Sequence, residues 1–286
     1  MQVTIILVNY NTKRWIIECL ASVYKYTALT EFEVVVIDNN SSDGSREAVT
    51  AIYPEVIWIA NTENAGFGAA NNKGIRVARG KYIFLLNTDT VLLNDAVSLL
   101  RDFMDNPENA QVGCVGPYLK NGDGGDNTSA GRFPTLFSYF LENLLFLTPP
   151  DSPGAGFSPG PGSAPEPVDY IIGAAMFWRA EVLRELKGFD TDFFLFYEEA
   201  ELCLRLSRTK FGAVLIPGPQ IVHYGGGASN KDPFWIFRNY KKSEYLFFYK
   251  AYGKMRAEVW RFLNLLRYAL IPDRNYLKRL VYLIGL

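Results

Sequence analysis

The sequence predicts an α/β fold: a Rossmann-like, mostly parallel central sheet flanked by helices. Three observations carry this. Apolar runs of strand length recur through the first 117 residues, helix-periodic segments separate them, and the runs are so continuously Val/Ile/Leu that both of their faces need covering. VTIILVNY opens the chain as a strand, and TKRWIIECLASVYKY follows with helical spacing. FEVVVID and EVIWIA are the next strands, with DGSREAVTAIY between them and Ser41-Ser42-Asp43 expected to cap it. AANNKGIRVAR leads to the strand KYIFLLN. NDAVSLLRDFM is then a helix that Thr90 or Asn94 is expected to cap, and QVGCVGP is a further strand.

From 118 to 167 the pattern breaks into Gly/Pro/Ser-rich stretches around LFSYFLENLLFL, a length better suited to a lid than a connector. Order returns with VDYIIGAAMFW, a helix at AEVLREL, the acidic segment FLFYEEAELCLRLSR, a strand near AVLIP, and VHYGGGAS. The division this suggests is a domain over 1–233, made of a ligand-side part to 117, the loop 118–167 and a second part 168–233. A helical tail, 234–286, follows it.

With 286 residues, 49% of them apolar, the chain can bury a large core. The net charge of −1 hides an asymmetry: 234–286 holds 11 Lys/Arg against 3 Asp/Glu, leaving the body acidic. In the tail, Val259, Phe262, Leu263, Leu266 and Leu270 share one helical face, with Arg256, Arg261, Asn264 and Arg267 elsewhere. Two readings stay open: a helix packed on its own domain, or one resting on an anionic membrane face. Nothing suggests a nucleic acid partner. Cys19, Cys114 and Cys203 are too scattered for a disulfide framework or a zinc site and suit a reducing compartment. The start at MQVTIILVNYN shows no leader, and no apolar run is long enough to span a bilayer, so the expected location is cytoplasmic, with peripheral contact at the membrane's inner face.

In open α/β sheets, ligands bind beyond the carboxyl ends of the strands. That rule puts Asn9, Asn11, Asp38 and Asn87-Thr88-Asp89 on one rim, where strand alternation lets Asn87 and Asp89 face one ligand. Asn40 stands in a polar cluster after Asp38 that suits a nucleobase or ribose, although such residues are equally turn formers. Asn64 and Gly66 open a glycine-permissive turn whose N–H groups suit phosphate. This is a weak dinucleotide signal, because the first strand-turn-helix unit reads NYNTK, without glycine. His223 is the one histidine, and with Asp89 it offers an O/N pair for Mg²⁺ or Mn²⁺. Glu198, Glu199 and Glu201 crowd the start of a helix, where mutual repulsion raises pKa values toward those of a general base.

In order, VTIILVNYN, VVVIDNNSSDGS, NAGFGAANNKG, LLNTDT, GAAMFWRAEVL, GFDTDFFLFYEEAELCLR and VHYGGGAS resemble glycosyltransferase family 2, inverting enzymes of GT-A fold. The resemblance spans about residues 3 to 250 and is greatest to the rhamnosyltransferase-type members, which build cell-surface polysaccharides. It implies a nucleotide-sugar donor, dTDP- or UDP-linked with dTDP-rhamnose favoured, and a glycan or lipid-linked acceptor. By position, Asp38 matches the residue that reads the base, and Asn71 lies in the donor-lining segment. Asp89 matches the metal aspartate of an Asp-x-Asp motif in which Asn87 replaces the first acid, and His223 a histidine that reaches metal or diphosphate. Glu199 matches the base, with Glu198 and Glu201 as alternatives because Glu replaces Asp at 199 and 201. No Gln-x-x-Arg-Trp motif occurs, which implies one sugar per binding event. The competing expectations are a nucleotide-sugar-binding module without turnover and a Rossmann-type oxidoreductase.

Overall fold

A computed structural model describes residues 1–144, 164–225, 232–270 and 275–286. Along the chain run β1 (Val3–Asn9), α1 (Lys13–Tyr26), β2 (Phe32–Asp38), α2 (Ser45–Ile52), β3 (Ile57–Ala60), α3 (Phe67–Val77), β4 (Tyr82–Asn87), β5 (Thr90–Leu92) and α4 (Ala96–Asp105). Then come β6 (Val112–Lys120), β7 (Ala130–Gly131), α5 (Leu136–Leu144), β8 (Glu166–Val168), β9 (Tyr170–Ile171), β10 (Ala175–Arg179), α6 (Ala180–Glu185), α7 (Glu198–Ser207) and β11 (Gly212–His223). The helices α8 (Pro233–Tyr252), α9 (Lys254–Leu270) and α10 (Tyr276–Ile284) complete it.

The main sheet has nine strands in the order β3-β2-β1-β4-β10-β6-β11-β5, with β8 also on β11. β3, β2, β1 and β4 are mutually parallel, β10 is antiparallel to β4 and β6, and β11 is parallel to β6. Six strands therefore point one way, which sets the ends of β1, β2, β4 and β11 on a common rim. Strand alternation divides the core. Val3, Ile5, Leu7, Val34, Val36, Phe84 and Leu86 face one layer with α1 and α4, while Ile6, Val35, Ile37, Ile83 and Leu85 face the other with α3, α6 and α7. α1 seals its side with Ile16, Cys19, Leu20 and Val23 at helical spacing. α3 lies so close that a Cβ on Gly74 would come within 2.6 Å of Ile6. All three cysteines are free and buried.

Several local expectations need correction. α4 is capped by Asp95, whose side chain accepts from the Ser98 N–H, and not by Thr90 or Asn94. Thr90 belongs to β5. Asn94 bridges to β11 instead, donating to Gly218 O and accepting from the Gln220 N–H. α2 has Gly44 at its cap in the left-handed region (φ 74°), although Asp43 still accepts from the Ser45 N–H.

α9 buries Ala257, Trp260, Asn264, Arg267 and Tyr268, and it exposes Met255, Val259, Phe262 and Leu270. Asn264 is accommodated because it accepts from the Tyr139 hydroxyl and donates to Trp260 O. α10 likewise exposes Leu277, Val281 and Ile284. The anticipated lid at 118–167 includes 145–163, which lie outside the described residues, as does the glycine run after Gly225. No helix among the described residues is long and apolar enough to cross a membrane.

Candidate active site

β1 and β2 end side by side, Asn9 opposite Asp38, and the loops beyond them interlock. The Asn9 amide donates toward Asp38 Oδ1 (2.7 Å), Ser45 Oγ (2.8 Å) and Ser41 Oγ (3.0 Å) and accepts from the Thr12 hydroxyl. Asn9 is fully buried, so it shapes the rim and its expected place as a donor contact is corrected. Asp38 also accepts from the Ser41 N–H (3.0 Å). Asn11, left-handed at φ 55°, accepts from the Ser42 N–H and donates its own N–H to Ser41 Oγ, so the 9–12 and 38–43 loops form one unit. Asn40 is exposed and left-handed at φ 64°.

The glycine turn is packed against protein. A Cβ on Gly66 would lie 2.6 Å from Phe194 O, which accepts from the Phe67 N–H at 3.0 Å. Gly66 is needed because backbone approaches backbone there at a positive φ of 85°, and Phe194 occupies the first N–H that the phosphate reading required. Asn64 accepts from the Gly66 N–H, and Asn71, buried, donates to Phe67 O. These residues hold the turn.

β4 stops at Asn87. The chain then turns through Thr88 and Asp89 with the Thr90 hydroxyl donating to Asn87 O (2.7 Å), so Asn87 and Asp89 do not share one continuous strand as alternation had suggested. A tertiary pairing sets Asp89 instead. β5 lies antiparallel on β11 with Thr90 opposite His223, and His223 Nε2 stands 3.5 Å from Asp89 Oδ1. Asp89 is nearly buried, and its carbonyl accepts from the Tyr224 N–H. Thr88 lies 3.0 Å from the Thr12 hydroxyl, tying this turn to the first loop. An oxygen and an imidazole nitrogen facing one another suit a hard or borderline divalent cation that takes its remaining ligands from a diphosphate. No group of three or more His, Cys, Asp or Glu side chains forms a protein-only metal cage among the described residues.

The glutamates separate into distinct roles. Glu201 is committed to Arg205, which reaches both its oxygens (2.8 to 3.0 Å) and also holds Leu186 O and Gly188 O. That pairing removes Glu201 from the candidates for a base. Glu198 is buried with Oε2 unpartnered, and burial, reinforced by the charge of Glu199, pushes its carboxyl well up. Glu199 is partly exposed. Burial raises its carboxyl too, opposed by its own N–H and those of Gly173 and Ala200, and its Oε2 lacks a partner. Gly173 precedes β10 at the rim. Because Ala174 O accepts from the Asn87 N–H, the Glu199 carboxylate stands beside the end of β4.

What presents these acids is strained backbone. Phe196 (φ 70°) and Tyr197 (φ 67°) are consecutive bulky residues in the left-handed region, each at a cost of about 1 kcal/mol or more. Nothing in their sequence announces it. The groups that brace this turn, Tyr240, Ser243 and Glu244 on α8, were also absent from the sequence reading.

The model of the family described as Glycosyl transferase family 2 matches residues 4–158, more than half of the chain. The chain belongs to glycosyl transferase family 2. The N-acetylglucosaminyl-diphospho-decaprenol L-rhamnosyltransferase of Mycobacterium tuberculosis is 24% identical over 227 residues, 75% of this chain and 73% of that protein. A low-salt glycan biosynthesis hexosyltransferase of Haloferax volcanii is 27% identical over 211 residues, 72% of this chain and 61% of that one. Among solved structures, the mannosyltransferase PcManGT from Pyrobaculum calidifontis, in complex with GDP-Man and Mn²⁺, superposes with a TM-score of 0.60 at 18% identity, over 99% of this chain and 85% of that one. GalNAc-T7 with UDP, GalNAc and Mn²⁺ gives 0.64 at 15% identity, over 98% of this chain and 53% of that one. The fold of this family 2 glycosyltransferase is GT-A. The oxidoreductase expectation falls with that assignment.

Proposed function

We propose that this enzyme is a metal-dependent, inverting hexosyltransferase that moves L-rhamnose from dTDP-rhamnose to a glycan or lipid-linked acceptor in cell-surface polysaccharide synthesis. The observation that carries the reading is one rim where the Asp89–His223 pair (3.5 Å) and the partly exposed Glu199 beside Gly173 stand around the ends of β4 and β11. The relation to the mycobacterial rhamnosyltransferase, whose acceptor is an N-acetylglucosaminyl-diphospho lipid, supports the sugar and the acceptor class.

Asp89 and His223 would hold Mg²⁺ or Mn²⁺, which when bound offsets the charge developing on the departing diphosphate. Asp38, Asn40 and Asn11 border the space for the nucleoside, and Asn87 and Thr88 that for ribose and phosphate. Glu199 takes the proton of the acceptor hydroxyl as its oxygen bonds to the anomeric carbon. The bond from that carbon to the diphosphate breaks from the opposite face, so a β-linked donor gives an α-linked product. Burial lifts the affinity of Glu199 for that proton, which a base needs.

The tail fits this setting. α9 and α10 expose Met255, Val259, Phe262, Leu270, Leu277, Val281 and Ile284 beside the exposed Lys254, Arg256 and Lys278, while the body is acidic. Apolar area bordered by positive charge is complementary to an anionic bilayer, and the acidic body would turn away from it.

The deciding experiment is thermal stability with dTDP, UDP and GDP, each with and without Mn²⁺, followed by transfer from the matching donor. Saturation at 100 times the dissociation constant adds about 2.7 kcal/mol. A metal-dependent shift with dTDP, lost in Asp89→Asn, supports the reading; a GDP preference with no dTDP shift overturns rhamnose as the sugar.

A further inference from the structure

The strained turn that presents Glu198 and Glu199 is held from outside the residues around it. Leu195 O accepts from the Ser243 hydroxyl (2.8 Å). Phe196 packs edge-on against Tyr240, and Tyr197 packs against both Tyr240 and Phe247, with centroids 5.3 to 5.6 Å apart. The Tyr197 hydroxyl donates to Glu244 Oε1 (3.0 Å) and lies 3.1 Å from the Tyr240 hydroxyl. Lys241 donates to the second oxygen, Oε2, at 2.8 Å, and both ends of this ion pair are more than nine-tenths buried. Tyr139, Tyr240 and Trp260 rings surround the ammonium group at about 5.5 Å.

A buried ion pair contributes little net stability compared with apolar side chains of the same size, so its presence here asks for another role. The left-handed Tyr197 has no side-chain cap bond to offer α7, and its conformation must be imposed. We propose that Glu244, fixed in turn by Lys241, is a positioning residue of the transfer reaction: by accepting from Tyr197 it locks the 195–197 turn and sets the Glu199 carboxylate against Gly173. The tail helix α8 is on this view part of the active site's scaffold. The proposal rests on the assignment of Glu199 as the base.

The test uses the full-length enzyme with dTDP-rhamnose and an N-acetylglucosaminyl-diphospho-polyprenol acceptor, with dTDP affinity measured separately. Tyr197→Phe removes only the hydroxyl and is expected to lower kcat at least five-fold, with donor KM and dTDP affinity unchanged. The double variant Lys241→Met, Glu244→Leu replaces the ion pair by apolar volume. It is expected to stay folded, with Tm at or above that of the wild type, and to lose kcat at least ten-fold. Lys241→Met, Glu244→Gln keeps an acceptor for Tyr197 and should recover several-fold over the leucine variant. If the leucine variant is folded and turns over as the wild type does, or if Tyr197→Phe leaves kcat unchanged, the positioning role is overturned. Glu199→Gln, run alongside, separates the two readings. Unimpaired transfer in that variant removes the base assignment itself. A Glu199→Gln variant that no longer transfers, beside fully active Tyr197 and Glu244 variants, removes the positioning role alone.

Discussion

Glu198 and Glu199 sit together on the first turn of α7, both raised by burial and each lacking a partner for one oxygen. Because their folded pKa values lie above the ordinary value of about 4.3, the protonated pair is what folding favours. That stability is fully present below about pH 4.3 and is lost as pH rises through the folded values. Glu198→Gln removes much of this dependence, so its melting temperature should exceed the wild type's at pH 8 and match it near pH 4.5. Equal pH slopes in the two proteins would refute the account. Catalysis runs with the opposite sign, since a base must be unprotonated, so transfer should climb with pH through the same range. Glu199→Gln should lower kcat by about 100-fold or more while nucleotide binding persists. Glu201 illustrates what a residue list hides: it is as acidic as its neighbours, yet two residues along the helix it meets Arg205 instead of the rim.

Among elements, β5 decides how Asp89 meets His223 although it is only three residues long. Asp89 follows the last residue of β4 by two positions, and a reading by strand alternation has it facing the ligand with Asn87. The antiparallel contact with β11 sets its position instead, because Thr90 opposite His223 draws the turn toward the imidazole. α4 offers a simple check of local reasoning. Its cap is Asp95, one residue past the expected Asn94, since Asn94 is occupied by β11. Asp95→Ala should cost about 1 kcal/mol in chemical denaturation, and Asn94→Ala should weaken the β5–β11 edge with α4 intact. The alternating strands, the helices between them and the order of the acidic motifs were legible because each rests on local periodicity or on residue identity. The glycine turn at 66 was legible as a turn but not in purpose, because the backbone it admits belongs to Phe194, far along the chain.

On the scale of the whole molecule, α8 braces the acidic turn while α9 and α10 turn apolar side chains outward. The exposed apolar face of α9 has a physical cause: Trp260 and Tyr268 supply its buried contacts, and Asn264 is satisfied by its bond with Tyr139, which leaves Phe262 and Leu270 on the far side. If this face rests on a membrane as proposed, replacing Met255, Phe262 and Leu270 by Ser would remove about 1.5 to 3 kcal/mol of apolar burial each. Flotation with phosphatidylglycerol-containing vesicles should then fall at least ten-fold, with transfer to a water-soluble acceptor maintained. Equal flotation would dismiss the membrane face and leave the donor site untouched.

By itself the sequence determined the α/β class, the order of strands and helices, the rim where a ligand must bind, and the family through its ordered motifs. These follow from side-chain period and from residue identity, which are properties of a chain before it folds. The tertiary structure alone decided which glutamate faces the rim, that the β5–β11 pairing is what brings Asp89 to His223, and that Asn9 lies inside the protein. It also decided which face of α9 is covered and that Glu244 supports Tyr197. Apart from the i,i+4 pairing of Glu201 with Arg205, each of these depends on a partner dozens of residues away, and no local pattern encodes which partner will arrive.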